Sequence, residues 1–233
     1  MSASPVEILC QGILFDMDGI LISSLEAVER SWTKWAELRG FDPVMARRIA
    51  HGRRAVDTLA TMCPECDCDV ELKLIEDIEV ADNEGLTVLP GVCELLAALP
   101  ADRWTVVTSA TERLARVRLA AGKIPAPEQI VTADRVTRGK PHPDPFLAGA
   151  ALLSIAPKDC VVFEDSAAGA IAGRAAGCTV VATTFSHSAE SLEAAHYLVK
   201  DLIGVRVAIR NDGIVLTFVP NENATEPKAD ARS

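Results

Sequence analysis

The sequence of 233 residues contains no apolar run near the roughly 18–20 residues that a membrane-spanning helix needs. Its start, MSASPVEILCQG, lacks a basic segment followed by a long apolar stretch, so no secretory signal is visible. Acidic residues outnumber basic ones, and the net charge of −10 disfavours nucleic acid or an anionic membrane as the main partner. We therefore expect a cytoplasmic protein, and a small anionic substrate stays open because local basic residues can dominate a pocket.

The sequence also lacks the regular cysteine pattern of a disulfide framework. Its seven cysteines are an odd number, which fits a reducing cytoplasm better than paired disulfides. Four stand singly in apolar surroundings: Cys10, Cys93, Cys160 and Cys178. Three share the stretch CPECDC: Cys63, Cys66 and Cys68. That spacing could hold zinc, but no second CxxC or HxxxH completes a closed site, so free thiols are the default prediction and zinc is the alternative.

Short apolar runs alternate with helical segments over most of the chain. The predicted strands are 8–15, 104–108, 130–131, 160–163 and 179–183. The predicted helices among them are 93–99, 111–121, 144–153 and 167–176. Short apolar strands alternating with helices predict βαβ units, and therefore an α/β fold built on a parallel sheet that is covered on both faces.

A second region interrupts this pattern directly after the first strand. Its predicted helices are 25–39, 43–50, 55–62 and 70–82. We therefore predict a Rossmann-like core over 1–23 and 90–220, with a helical cap over 24–89. Near the end, two β-rich runs flank Asn-Asp-Gly at 211–213, which predicts a C-terminal β-hairpin. The polar tail over 221–233 is expected to be disordered.

Polar residues follow the apolar part of three predicted strands, at the edge where parallel strands end together. These residues, with one lysine in a proline-rich loop, are Asp16, Asp18, Thr108, Ser109, Glu164, Asp165 and Lys140. Four carboxylates so close together repel unless a cation is present, and oxygen ligands favour Mg²⁺. A lysine and a hydroxyl beside such an ion would bind phosphate oxygens. The combination indicates phosphoryl transfer.

Within that chemistry, the two aspartates of DMDG take different parts. Asp16 would be the nucleophile that forms an aspartyl-phosphate. Asp18 would protonate the leaving oxygen and then activate water. Asp165 with Ser166 could instead be a helix cap, and Thr108 with Ser109 could be a turn. Asp16 and Asp18 have no such simple structural explanation.

The motifs DMDG, VVTS, GKP and FEDS, in this order, resemble those of the haloacid dehalogenase superfamily, and the helical insertion is similar to its C1 cap. Within the superfamily, the chain resembles the β-phosphoglucomutase-like and sugar-phosphatase branch, over about 8–202. The resemblance implies that Asp16 is the nucleophile, Asp18 the acid/base, and Thr108 and Lys140 the phosphate-binding groups. It also implies a set of metal ligands, in which Asp18 contributes its backbone carbonyl and Glu164 acts directly or through water: Asp16, Asp18, Asp165 and Glu164.

Three positions tell the possible reactions of this superfamily apart. Asp18 argues against a dehalogenase, which lacks the second aspartate. Val28 stands where the β-phosphoglucomutases carry a histidine linked to the cap, which favours a phosphatase over a mutase. Ser23 replaces the aspartate common near the start of the cap linker, which puts cap closure or substrate orientation in question.

In the predicted cap, the stretch AHGRRAVDTL lies where the sugar-phosphatase branch has a substrate-contacting loop. Arg53 or Arg54 could reach a phosphate or a hydroxyl, and His51 could contact a sugar. The alternative is that the arginines are solvated or pair with Asp57.

Together these observations predict a Mg²⁺-dependent phosphatase that hydrolyses a small phosphorylated metabolite, a sugar or polyol phosphate. A phosphosugar mutase and a non-catalytic binding protein of the same fold are the alternatives. A monomer is expected from the acidic surface and the small size.

Overall fold

The computed structural model describes residues 4–221. Its strands are β1 Val6–Cys10, β2 Gly12–Phe15, β3 Ile22–Ser23, β4 Thr87–Val88, β5 Trp104–Val106, β6 Cys160–Glu164, β7 Thr179–Thr183, β8 Tyr197–Val199, β9 Arg206–Arg210 and β10 Gly213–Phe218. Its α-helices are α1 Leu25–Arg39, α2 Pro43–Ala50, α3 Ala55–Met62, α4 Cys68–Ala81, α5 Val92–Ala97, α6 Glu112–Ala121, α7 Asp144–Leu152 and α8 Ala167–Ala175. The predicted disordered tail lies outside the described residues, apart from Asn221.

The centre of the fold is a five-stranded parallel sheet in the order β5-β2-β6-β7-β8. Strand β2 is fully buried, and its Phe15 is in register with Val106 on one side and with Phe163 on the other. Separate apolar clusters that contain Phe15 and Leu14 pack on the two faces of the sheet. The predicted α/β fold with a parallel sheet covered on both faces is therefore confirmed.

The predicted first strand, 8–15, is in fact two strands that belong to different sheets. The chain bends at Gln11, whose backbone N–H donates to the carbonyl of Asp159 at 2.7 Å. Before the bend, β1 pairs antiparallel with β10, and β10 pairs antiparallel with β9. The predicted C-terminal hairpin is thus confirmed. The break was not visible in the sequence because both halves are apolar and run end to end.

The sheet differs from the prediction at both edges. Residue Val131 of the predicted strand 130–131 forms a single parallel bridge with Val107 and no strand of its own. At the other edge, β8 was missed, although it extends the sheet beside β7. Strand β8 has three residues, which is too short for a periodic pattern to reveal.

Helices α1 to α4 pack around their own apolar cluster, which includes Trp32, Trp35, Leu59 and Ile75. The predicted bounds of the first three helices agree with the structure. Helix α4 begins two residues earlier than predicted, because the side chain of Asp67 accepts from the backbone N–H groups of residues 69 and 70. The short antiparallel pair β3 and β4 lies where the chain leaves and re-enters the sheet region. The exact domain limits stay a prediction.

The three cysteines of CPECDC lie at the corner between α3 and α4, and all of them are free thiols. Among the described residues, the groups arranged to hold a metal contain no cysteine. The zinc alternative for these cysteines stays a prediction. None of the described helices is both long and apolar enough to cross a bilayer. The monomeric state and the cytoplasmic location stay predictions.

Candidate active site

A cavity of about 880 Å³, including its opening to solvent, lies between the carboxyl edge of the parallel sheet and the four helices α1 to α4. The sheet side contributes Asp16, Asp18, Thr108, Ser109 and Asp165. The parallel topology therefore brings the ends of β2, β5 and β6 together, as the sequence predicted.

Asp16 directly follows β2 and is buried, and its backbone N–H donates to the carbonyl of Phe163 at 2.9 Å. Its carboxylate oxygen Oδ1 accepts from Lys140 Nζ at 2.7 Å. Burial raises the pKa of Asp16 to about 7, with Lys140 opposing that shift and Glu164 adding to it. A second positive charge beside this carboxyl group would favour its ionised form.

Lys140 is the buried cation of this group. Its Nζ donates to Asp16, to Glu164 Oε1 at 2.5 Å and to the carbonyl of Val107 at 3.2 Å. Burial by itself would lower the pKa of Lys140, but the carboxylates of Asp16 and Glu164 outweigh burial and raise it. The lysine is therefore held protonated and pointed at Asp16.

Glu164 is fully buried at the end of β6. Its second oxygen, Oε2, accepts at 2.9 Å from the backbone N–H groups of Asp165 and Ser166 and from the Ser166 hydroxyl. The carboxyl group lies so close to Gly169 that a Cβ there would overlap it. Both oxygens are thus engaged by protein donors, so Glu164 is better placed to hold Lys140 than to bind a metal directly.

Ligand atoms of Asp16, Glu164 and Asp165 all lie within 4.8 Å of one another. Burial, with the nearby charges of Glu164 and Asp16, raises the pKa of Asp165 well above its usual range. Three buried carboxyl groups face one lysine, so ionising all three leaves an excess of negative charge, and the donor atoms are all oxygens. These properties fit a hard divalent cation such as Mg²⁺, held by Asp16 and Asp165.

The turn after Asp16 brings the chain close to this group of carboxylates. Gly19 has a φ of +83°, a conformation that side chains disfavour, and a Cβ there would overlap the Asp165 carboxyl group. The side chain of Ser186 donates to Asp165. Both the backbone angle and the close approach therefore require glycine in this turn.

The phosphate-binding hydroxyls proposed from the sequence both line the cavity. Thr108 is buried, and its Oγ1 accepts from the backbone N–H of Ala110 at 3.1 Å. Ser109 is half-buried beside it. The turn after β5 therefore places hydroxyl groups in the same cavity as Asp16.

Asp18 has two partners that the sequence analysis did not identify. Arg118 Nη1 lies 3.0 Å from both carboxylate oxygens of Asp18, and Ser24 Oγ donates to Oδ1 at 2.5 Å. A second nitrogen of Arg118, Nη2, donates to Glu79 of α4 at 3.3 Å. One signal was available: Arg118 interrupts the apolar face formed by Leu114 and Leu119, and a charge on that face requires a partner.

The predicted cap loop divides between the cavity and the interface with the sheet region. His51 and Arg53 line the cavity. Arg54 is not among the lining residues: it is buried, pairs with Asp57 at 2.7 Å and donates to the carbonyl of Val136 at 3.0 Å. The expectation of a substrate contact from Arg54 is not met in this geometry, because these partners occupy its guanidinium.

His187, which the sequence analysis did not single out, lies against His51 with ring centroids 4.5 Å apart. Ligand atoms of His51, His187 and Asp165 also lie within 4.8 Å of one another, which makes them a second group that could hold a metal. Burial, with the neighbouring His187, lowers the pKa of His51. The side chain of His51 is therefore favoured as a neutral ring facing the cavity.

A family model described as haloacid dehalogenase-like hydrolase matches residues 10–177. The chain belongs to this family. The match spans the residues that the site uses, from Asp16 to Asp165, and includes the helices that cover the cavity. The resemblance stated from the motifs is confirmed.

Curated relatives of this hydrolase span nearly the whole chain. Hexitol phosphatase A of Escherichia coli is 41% identical over 215 residues, which cover 89% of this chain and 98% of that protein. Glycerol-1-phosphate phosphohydrolase 1 of Saccharomyces cerevisiae is 34% identical, with 94% of each chain covered. A hydrolase of the same family from Deinococcus radiodurans, solved with bound phosphate and sodium, has a TM-score of 0.61 at 28% identity and covers 83% of this chain and 92% of that one.

Proposed function

We propose that this hydrolase is a Mg²⁺-dependent phosphatase of sugar or polyol phosphates that works through an aspartyl-phosphate on Asp16. The observation that carries the proposal is the buried pair of Asp16 and Lys140, 2.7 Å apart, beside Asp165. An aspartate that is buried, oriented by a lysine and open to a cavity has the setting of a nucleophile. A carboxylate needed only for stability would not face an open cavity.

In the proposed first step, an oxygen of Asp16 attacks the phosphorus atom and the ester oxygen leaves. The hydroxyls of Thr108 and Ser109 bind the phosphate oxygens, while Lys140 keeps Asp16 oriented and supplies positive charge behind it. Asp18 gives a proton to the leaving oxygen. Bound Mg²⁺ supplies positive charge that reduces the repulsion between the carboxylate and the phosphate.

In the proposed second step, Asp18 takes a proton from water, and the resulting hydroxide attacks the phosphorus of the aspartyl-phosphate. The Asp16–phosphorus bond breaks, and inorganic phosphate leaves. Val28 lines the cavity where the mutase branch carries its histidine. Hydrolysis is therefore favoured over phosphate return to a sugar.

The substrate class is supported by the wall of the cavity and by the relatives. Apolar side chains of Leu25, Trp32 and Leu72 line part of the wall, while His51 and Arg53 offer polar groups. This mixture suits a short carbon chain that carries hydroxyl groups. Two relatives are named for hexitol and glycerol phosphates, which belong to that class.

The test is phosphate release from hexitol and glycerol phosphates, with Mg²⁺ and with a chelator. We expect turnover that needs Mg²⁺ and falls by about a thousandfold or more in Asp16→Asn. Asp102→Asn, a change at an exposed aspartate, is the control and is expected to behave like the wild type. Retained turnover in Asp16→Asn would contradict the assignment of the nucleophile, and isomerised product without phosphate release would favour the mutase.

A further inference from the structure

Arg118 of α6 joins the two sides of the cavity. It is 3% exposed, and its guanidinium contacts Asp18 on the sheet side and Glu79 on the helical side. A buried arginine is stable only when its charge is matched, and here one carboxylate comes from each side. The position of Arg118 therefore depends on both regions.

On the sheet side, the contact fixes Asp18 in position. Arg118 Nη1 lies 3.0 Å from both carboxylate oxygens, and Ser24, just before α1, donates to one of them at 2.5 Å. Charge-assisted hydrogen bonds from two directions limit the rotation of a carboxylate much more than a single neutral bond does. Asp18 is therefore oriented by groups outside its own loop.

On the helical side, the partner is a buried acid. Burial raises the pKa of Glu79, while the charge of Arg118 opposes that shift and the charge of Asp18 adds to it. Glu79 lies in α4, so a movement of α4 away from the sheet would separate it from Arg118. The guanidinium would then lose one of its two partners and would be free to shift away from Asp18.

Other contacts between α4 and α6 do not reach Asp18. Arg113 pairs with Glu76 at 2.8 Å and with Asp77 at 2.5 Å, and about half of its side chain is exposed. The seam between the two helices thus contains one arginine that touches Asp18 and another that does not. This pair provides a matched experiment.

We propose that Arg118 is a positioning residue that couples closure of the α1 to α4 helices to the placement of Asp18, with Glu79 as the anchor on the helical side. The proposal rests on the function proposed for Asp18. Glu79 of α4 keeps Arg118, and through Arg118 also Asp18, in the catalytic arrangement.

The test uses two substrates that differ in their need for a proton. A polyol phosphate has a poor leaving group and needs Asp18 in both steps, whereas p-nitrophenyl phosphate needs it only when water attacks the aspartyl-phosphate. In Arg118→Met we expect kcat for the polyol phosphate to fall about 100-fold, with KM within about threefold. With p-nitrophenyl phosphate, one nitrophenol per enzyme should appear in a rapid burst before slow turnover.

Two further variants test the coupling. Glu79→Gln should reproduce the burst, with a fall in kcat of about tenfold, because the anchor loses its charge but keeps its shape. Arg113→Met breaks the neighbouring pairs in the same seam and should leave kcat within about twofold and show no burst. An unchanged kcat in Glu79→Gln would overturn the coupling.

Several results would overturn the role of Arg118 itself. These are a kcat for the polyol phosphate within about threefold of wild type in Arg118→Met, or an equal loss on both substrates with no burst. If Arg118→Met does not fold, the double variant Arg118→Met with Glu79→Met removes both charges of the buried Arg118–Glu79 pair. It is then tested in the same way. Failure of the wild type to release phosphate from the polyol phosphate would instead contradict the proposed function, so the two failures are distinguishable.

Discussion

The two walls of the cavity differ in how their charged groups are held. On the sheet side, the floor consists of Asp16, Lys140, Glu164 and Asp165, which are all less than 10% exposed. On the helical side, Arg53 is exposed, His51 is half-buried, and the neighbouring wall is mostly apolar. The floor is a closed set of charges in which each member depends on the others. On the helical wall, a single side chain can be substituted without removing the partner of another charged group, which suits a surface that selects substrates.

The largest expected effect is on the floor. Lys140→Met leaves the carboxylates of Asp16 and Glu164 buried without their cation. We expect a fall in kcat of about a thousandfold and a loss of about 3–5 kcal/mol in the free energy of unfolding. Enzyme assays and urea denaturation measure the two effects. The control is Lys158→Met, at an exposed lysine. A stability loss below about 1 kcal/mol for Lys140→Met would show that the buried charges of the floor depend on one another less than their contacts indicate.

The second effect concerns the pH dependence of stability in protein free of Mg²⁺. Because burial raises the pKa of Asp16 to about 7, the folded form keeps a proton that the unfolded chain releases near pH 4. This contribution to stability is complete below about pH 4 and is lost as the pH rises towards about 7, by up to about 1.4 kcal/mol per pH unit.

Thermal melting between these pH values, with and without Mg²⁺, measures this contribution. Mg²⁺ should restore stability most near pH 7, where Asp16 loses its proton. In Asp16→Asn the slope should be weaker, because one of the titrating groups is absent. An identical slope in that variant would assign the pH dependence to other residues.

A smaller effect is expected on the helical wall. Arg53→Met removes a cation that lines the cavity, and we expect KM for a polyol phosphate to rise about tenfold with little change in kcat. Arg48→Met, at an exposed arginine of α2, is the matched control. Steady-state kinetics on both variants make the comparison. A fall in kcat without a change in KM would mean that Arg53 acts in the catalytic step, like the residues of the floor, and not in substrate binding.

The smallest effect is expected at an ion pair on the surface. Arg30 binds Asp82 with two hydrogen bonds, at 2.8 and 2.9 Å, but its side chain is 40% exposed. Arg30→Met should therefore change the free energy of unfolding by less than about 1 kcal/mol and leave turnover unaltered. Urea denaturation beside Lys140→Met gives the contrast. A similar loss of stability in Arg30→Met and Lys140→Met would mean that burial does not decide how much each ion pair contributes to the free energy of unfolding.

Much of the floor could be predicted from the sequence because each of its residues follows an apolar strand or lies in a distinctive loop. Asp16 and Asp18 after β2, and Glu164 and Asp165 at the end of β6, were expected at one edge of a parallel sheet. That inference needs only the direction of the strands. The partners of Asp18 were harder to predict, because Arg118 lies 100 positions away and joins it only through the packing of α6.

In the helical region, too, some features could be predicted from the sequence and others could not. Helical periodicity located α1 to α3, since that signal is local to each helix. No local sequence pattern tells which of Arg53 and Arg54 lines the cavity. These adjacent residues of one loop have different surroundings: Arg53 is among the residues that line the cavity, whereas Arg54 donates to the carbonyl of Val136.

The sequence by itself determined the α/β fold, the helical insertion and the set of carboxylates with Lys140, because local apolar patterns and the order of the motifs encode them. The tertiary structure decided the break at Gln11, the engagement of Glu164 by protein donors and the bridge from Asp18 through Arg118 to Glu79. Those features arise from contacts between residues far apart in the chain. Such contacts depend on the packing of whole helices and strands, which no local pattern specifies.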